Sequence, residues 1–289
     1  MTRRQFIFNA VRATILLGVG KGFYDTSRYG LELSRVRIEL ANLPAQFRGL
    51  KIAHLSDFHS SFIVSKGLIA EAARLAMDER PDMVVLTGDF VSGATKFISS
   101  AVGDFNKKYL DRCIDALGGL KAPMGIYSVL GNHDLWSGKE AARTICREFS
   151  RRLGVVWLRN SSIPLEKDGQ RIDLLGVDDY WEGGSLIQAS RGLEPGTVKI
   201  LLSHNPDIND DIELFKQEID LVLSGHTHGG QVVFPVVGML YIPSKFGEKY
   251  RAGLVSDGSR KTYITRGVGN LLFPFRLNCP PEVTVLTLV

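Results

Sequence analysis

The sequence predicts an α/β fold, and three observations support it. Short apolar runs alternate with stretches of helical spacing through the first half of the chain, and strand-like runs dominate the second half. The composition is globular: 44% of the 289 residues are hydrophobic and 23% charged, which excludes a disordered chain, a collagen-like repeat and a coiled coil. Several apolar runs also stop abruptly at a polar residue, as strands do at the carboxyl edge of an α/β sheet. With no internal repeat and no low-complexity linker, one catalytic domain over residues 31–289 is expected after an N-terminal leader, residues 1–30.

The elements follow in order. Val36, Ile38 and Leu40 alternate, as in a half-buried strand. Leu50–Ser56 is an apolar run that stops at Asp57, and Ser65–Arg80 carries apolar residues at 68, 69, 72, 75 and 76, a helical spacing. Met83–Leu86 reads as a buried strand ending at Thr87-Gly88-Asp89. A second helix is expected over Asp104–Leu117, a strand over Gly125–Leu130 and a third helix over Lys139–Arg152. Further strands are expected at Val155–Leu158, Arg171–Val177, Val198–Ser203 and Ile219–Ser224. A hairpin of Arg251–Val255 and Lys261–Thr265 turns at Asp257-Gly258, and Val283–Val289 is the last strand.

Charge and cysteine content narrow the function. Three scattered cysteines and no CxxC argue against a disulfide framework or a zinc ribbon. The net charge of +4 sits in the leader, where Arg3, Arg4, Arg12, Lys21 and Arg28 face Asp25 alone. Residues 31–289 are therefore balanced, and no nucleic-acid partner is expected. Two arginines followed by a short apolar region have the layout of a twin-arginine export signal. The uninterrupted apolar part, Ala13–Gly20, falls short of the roughly 20 residues a membrane span needs. No A-x-A cleavage site follows, so the segment is expected either to direct export or to remain as an anchor at the cytoplasmic membrane; a surface amphipathic helix is the other reading.

The chemistry concentrates at five strand ends: Asp57-Phe58-His59, Gly88-Asp89, Gly131-Asn132-His133-Asp134, His204-Asn205-Pro206 and Gly225-His226-Thr227-His228. In an extended segment the i, i+2 spacing of Asp57 and His59, and of His226 and His228, turns both side chains to one side. A carboxylate at the tip of a Gly-Asp turn has two oxygens and can bridge two cations, and Asn132 offers a neutral carbonyl oxygen. Taken singly, Asp57-x-His59 also reads as a turn and helix cap, Gly88-Asp89 as an ordinary turn and His204 as a buried core histidine. Their joint recurrence at strand ends points to a metal site. His54, the sixth histidine, lies inside an apolar run and reads as buried or as supporting the site indirectly.

The series D-x-H, GD, GNHD, H and GHTH, from about Lys51 to the C-terminus, resembles the calcineurin-like metallophosphoesterase superfamily. The twin-arginine start, HNPD, GHTHGGQ and TRGVGN…LNCPPEVTVLTL resemble an exported or membrane-associated bacterial branch. That branch includes phosphodiesterases and enzymes cleaving UDP-2,3-diacylglucosamine in lipid A biosynthesis. The resemblance implies a four-layer αββα sandwich and a binuclear centre. It implies Asp57, His59, Asp89 and His228 as ligands of one ion, and Asp89, Asn132, His204 and His226 as ligands of the other. His133 is implied to be the catalytic residue that protonates the leaving oxygen. Some relatives have an acid three positions after the bridging Asp to orient that histidine; here the position is Ser92, which leaves Asp134 as the other candidate. Nitrogen and oxygen donors without thiolate favour Mn, Fe or Zn over Mg alone, and two such ions can activate a water for in-line attack on phosphorus.

The expected activity is hydrolysis of a phosphodiester or pyrophosphate, with a lipid-linked or nucleotide-sugar substrate as the first reading. A general phosphodiesterase or phosphatase of the cell envelope is the second, and a non-catalytic scaffold the third. Val232–Pro243 and Leu271–Leu277 are apolar, proline-punctuated loops that would suit acyl chains or a membrane if exposed, and ordinary core if not. Lys245, Lys249, Arg251, Arg266 and Arg276 are candidates for phosphate contacts, or are simply solvated.

Overall fold

The computed structural model describes residues 5, 17–22, 24–26, 30–92, 105–239, 241–271 and 274–289. Most of the expected leader and the start of the expected second helix, Asp104, lie outside the described residues. Two six-stranded sheets organise the rest. The first has the order β1-β14-β2-β3-β4-β5, built from β1 (Glu32–Ile38), β14 (Glu282–Leu288), β2 (Lys51–Leu55), β3 (Met83–Leu86), β4 (Ile126–Ser128) and β5 (Val156–Trp157). The second has the order β12-β13-β9-β8-β7-β6, built from β12 (Gly253–Asp257), β13 (Arg260–Ile264), β9 (Leu221–Ser224), β8 (Lys199–Leu202), β7 (Gln170–Gly176) and β6 (Ser161–Lys167), and β10 (Val233–Phe234) and β11 (Gly238–Met239) pair as a separate antiparallel hairpin.

Three hydrophobic clusters show how the sheets and helices stack. Between the sheets lie Ile52, Met83, Val85, Ile172, Leu174, Ile200, Leu202, Leu221 and Leu223. The alternate residues of the first sheet, Ala53, Leu55, Val84 and Leu86, pack outward on helices α1 (Lys66–Asp78), α2 (Lys107–Ala116) and α4 (Lys139–Leu153). On the far side Leu175, Leu201 and Val222 pack outward on α5 (Leu186–Ala189) and α6 (Ile208–Leu214). Three cores between four layers make an αββα sandwich. Both faces of the central strands are buried, which is why those strands read as continuous apolar runs rather than as alternating patterns.

Within this frame β2, β3, β4 and β5 run parallel, as do β13, β9, β8 and β7, so the carboxyl ends of each set gather at one edge of its sheet. His54 shares the parity of Ile52 and faces the second sheet, its ring edge-on to that of Tyr263 at 6.3 Å, while its Nε2 lies 2.9 Å from Oγ1 of Thr87, the residue after β3. It is fully buried, and burial pushes its pKa down to about 3, so it stays neutral. It is a core histidine.

Three departures from the sequence expectations have local causes. The hairpin turn is Gly258-Ser259, one residue later than expected, because Asp257 still pairs with Arg260 and Gly258 takes φ +62° at the first loop position. Strand β6 was not foreseen: it is an edge strand, half exposed and interrupted by Pro164, so it lacks an apolar run. The GNHD segment does more than end a strand, since Asn132–Trp136 forms a short helix, α3.

Candidate metal centre

The predicted residues arrive from both sheets. Asp57 and His59 follow β2, Asp89 follows β3 and Asn132 follows β4, while His204 follows β8 and His226 and His228 follow β9. All seven are buried, as is His133. Five hold backbone conformations that non-glycine residues seldom adopt: Asp57 (φ +55°), His59 (+41°), Asp89 (+57°), His226 (+72°) and His228 (+51°). Such strain costs on the order of 1–3 kcal/mol per residue and persists only where the surroundings enforce it. Here backbone bonds enforce it: Asp57 N–H donates to Gly88 O at 2.9 Å, and His59 N–H to Asp89 O at 3.0 Å.

The side chains fall into two groups that share Asp89. In the first, His59 Nε2 lies 3.1 Å from His228 Nε2 and 3.4 Å from Asp89 Oδ2, and His228 Nε2 lies 3.4 Å from Asp57 Oδ1. In the second, His204 Nε2 lies 3.0 Å from Asn132 Oδ1, 3.2 Å from Asp89 Oδ2 and 3.2 Å from His226 Nδ1. His133 stands at the edge: a ring nitrogen falls within 4.8 Å of ligand atoms of His59 and Asp89, and its ring meets the His59 ring edge-on at 4.9 Å.

These distances suit bound cations. Donors about 2.1 Å from one ion at tetrahedral or octahedral angles sit ~3.0–3.4 Å from one another, the spacing seen here. Three of the histidines are held neutral. Burial lowers His59 to about 3 and holds His226 and His228 well below the usual imidazole range, so their lone pairs are available. Burial, aided by the nearby Asp89 charge, raises Asp57 to about 6. Burial also works against the Asp89 carboxylate, but His204, His133 and His59 hold it well below the usual carboxylate range. Burial would lower His204, yet Asp89, Asp57 and Asp179 raise it to about 10. Among the described residues the buried His59 Nδ1, turned away from these contacts, has no hydrogen-bond partner.

A supporting layer orients the donors. His204 Nδ1–H donates to Thr87 O at 2.7 Å, which turns Nε2 toward the centre. His226 N–H donates to both Asp57 oxygens at 3.0 and 3.1 Å. Asp89 Oδ1 accepts the His133 N–H at 2.9 Å, leaving Oδ2 to face both groups. Close approach also explains two glycines: a Cβ on Gly131 would lie 2.2 Å from Asp89 Oδ1, and one on Gly225 2.2 Å from Asp57 Oδ2. Asp134, the candidate left open for orienting His133, is engaged with the backbone. Its oxygens accept the backbone N–H groups of Asp89 (2.8 Å), Phe90 (3.0 Å) and Gly131 (3.0 Å), so it braces the turn that carries Asp89. Ser92 Oγ donates to His59 O at 3.2 Å.

This layout matches the family model for calcineurin-like phosphoesterases over residues 50–230. The chain belongs to that family. It is similar to the phosphodiesterase YaeI of Escherichia coli, 34% identical over the full length of both chains. It is also similar to two uncharacterised metallophosphoesterases: YkuE of Bacillus subtilis is 30% identical, covering 100% of this chain and 98% of the other. A protein of Aquifex aeolicus is 29% identical over 95% and 97%. As a calcineurin-like phosphoesterase the chain is a metal-dependent phosphoester hydrolase, and the Asp and His cluster provides for divalent cations.

Sequence reasoning missed part of the site. Strand β7 also ends in acids, Asp178-Asp179, and Asp179 is fully buried with its pKa raised to about 7 by burial. Two indoles, Trp136 and Trp181, stand beside His133 and His226. Four of the five basic candidates for phosphate have partners within the chain. Lys245 pairs with Asp210, Lys249 with Asp257 and Arg266 with Glu32 and Glu282. Arg276 is wholly buried: its guanidinium donates to the carbonyls of Arg266, Gly267, Gly269 and Cys279 and lies 3.3 Å from His228 Nδ1. It is a brace for the His228 side of the centre.

Proposed function

We propose that the chain is a two-metal phosphodiesterase. The observation that supports this most strongly is Asp89 Oδ2, 3.4 Å from His59 Nε2 and 3.2 Å from His204 Nε2, one oxygen within reach of both donor groups. In this reading Asp57, His59, Asp89 and His228 hold one divalent ion, and Asp89, Asn132, His204 and His226 hold the other. Mn, Fe and Zn suit these nitrogen and oxygen donors. When bound, two such ions activate a water and offset charge on the phosphoryl oxygens.

The remaining work falls to the chain. Asp89 Oδ1 anchors the backbone of His133, and α3 carries that ring to the rim of the centre. His133 protonates the oxygen that leaves phosphorus. Thr87 keeps His204 turned inward. The diester class is supported by the E. coli relative, which is named a phosphodiesterase.

A lipid-linked or nucleotide-sugar pyrophosphate such as UDP-2,3-diacylglucosamine is the second reading. One observation favours it: in the loop 232–243, Val236, Val237 and Tyr241 are exposed, an apolar tip suited to a membrane surface or to acyl chains. The domain is proposed to work at the cell envelope, exported or anchored through residues 1–30. Among the described residues no helix is long and apolar enough to cross a membrane.

A metal-reconstituted assay comparing 4-nitrophenyl phosphate, bis(4-nitrophenyl) phosphate and UDP-2,3-diacylglucosamine tests both readings. Fastest turnover of the diester is expected. Preference for the pyrophosphate would install the second reading, and hydrolysis of none of the three with Mn or Zn bound would overturn both.

A further inference from the structure

Two tryptophans flank the centre without a part in the chemistry above. Trp136 lies three residues after His133 on α3, a spacing that sets both on one side of a helix. Its ring meets the His133 ring edge-on at 5.1 Å. Trp181 reaches the centre from the other sheet, beyond the Asp178-Asp179 end of β7, and meets the His226 ring edge-on at 4.6 Å. The indoles lie nearly parallel, 9° apart in plane, with centres 6.2 Å apart.

Each is held in place. Trp136 Nε1–H donates to Glu182 Oε1 at 2.6 Å. The Trp181 backbone N–H donates to Oδ1 of the buried Asp179 at 2.9 Å. Yet Trp181 keeps 40% of its surface exposed beside a centre whose other side chains are buried. A large aromatic surface left open at the mouth of a polar site is what a ring-binding platform requires.

We propose that Trp136 and Trp181 form a stacking subsite for a planar aromatic group carried by the leaving oxygen of a phosphodiester. The inference rests on the diesterase reading. Its direction follows from His133: the residue that protonates the leaving oxygen packs against Trp136, so the group on that oxygen passes over the indoles. Stacking on an indole face accepts any flat ring and is worth about tenfold in affinity. A nucleobase and a simple aryl ring share that chemistry.

The test measures KM and kcat of the metal-loaded protein and of Trp181→Ala and Trp181→Phe. The substrates are bis(4-nitrophenyl) phosphate, thymidylyl thymidine and, as a non-aromatic diester with an activated leaving group, bis(2,2,2-trifluoroethyl) phosphate followed by fluorine NMR. Comparing variant with parent on each substrate cancels intrinsic reactivity. Trp181→Ala is expected to raise KM for an aromatic diester about tenfold relative to the fluoroalkyl diester, with the loss in KM rather than kcat, and Trp181→Phe to recover most of it. The aromatic substrate with the larger rise names the ring that fits. Equal rises on aromatic and fluoroalkyl diesters, or no rise on either, would overturn the subsite while leaving the diesterase reading in place. No turnover of any diester by the parent would overturn both.

Discussion

At Asp89 one side chain meets several demands at once. It sits at φ +57°, sends Oδ1 to the His133 N–H and turns Oδ2 toward both groups of donors. Asp89→Ala is therefore expected to lose bound metal and to drop turnover by at least a thousandfold. His133→Ala should keep its metal and lose about 10²–10⁴-fold in kcat, the usual contribution of a general acid. Metal content by mass spectrometry and steady-state rates separate the two. Equal metal loss in both variants would contradict the division of roles. The clustered Asp, Asn and His residues were legible in the sequence because each follows an apolar strand and belongs to a residue type with few other reasons to be there. Trp136, Trp181 and Arg276 were not, because their partners lie far away along the chain. Trp181 meets His226 only because β7 and β9 both end at the same edge of their sheet, and Arg276 reaches His228 from another loop.

At the scale of elements, the turn after β3 and the start of α3 form one unit. Asp134 takes three backbone N–H groups from Asp89, Phe90 and Gly131, and Gly131 leaves room for the Asp89 carboxylate. Removing the acceptors orphans three buried donors at about 1–3 kcal/mol each. Asp134→Ala is thus expected to lower stability by about 3 kcal/mol or more in urea unfolding. Gly131→Ala, whose Cβ would fall 2.2 Å from Asp89 Oδ1, should weaken metal binding at least tenfold, as disturbed supporting contacts commonly do. Wild-type metal affinity in Gly131→Ala would show that the close approach is unimportant. The sequence marked the Gly and the Asp but left open whether Asp134 serves His133 or the backbone. Only the distances decide that. The parallel strands were readable because burial on both faces leaves an unbroken apolar signature, whereas edge strand β6, half exposed, leaves none.

Across the whole molecule, two sheets whose strands end in donors are pressed together by a common core, so the centre exists only when both sheets are assembled. The five strand ends were visible in sequence. Their meeting in space was supplied by a resemblance and is now seen as packing. The net positive charge of the chain lies in residues 1–30, and residues 31–289 are balanced. If that segment is a twin-arginine signal, changing Arg3 and Arg4 to Lys blocks export, read by cell fractionation; unchanged export would refute it. The central claim is a centre of two ions sharing Asp89, and the most direct measurement is metal stoichiometry against activity. Chelated protein is titrated with Mn or Zn while bound metal per chain and hydrolysis of bis(4-nitrophenyl) phosphate are followed together. The account predicts saturation at two ions per chain, with most of the activity appearing as the second ion binds. Full activity at one ion per chain, or in the chelated protein, would contradict it.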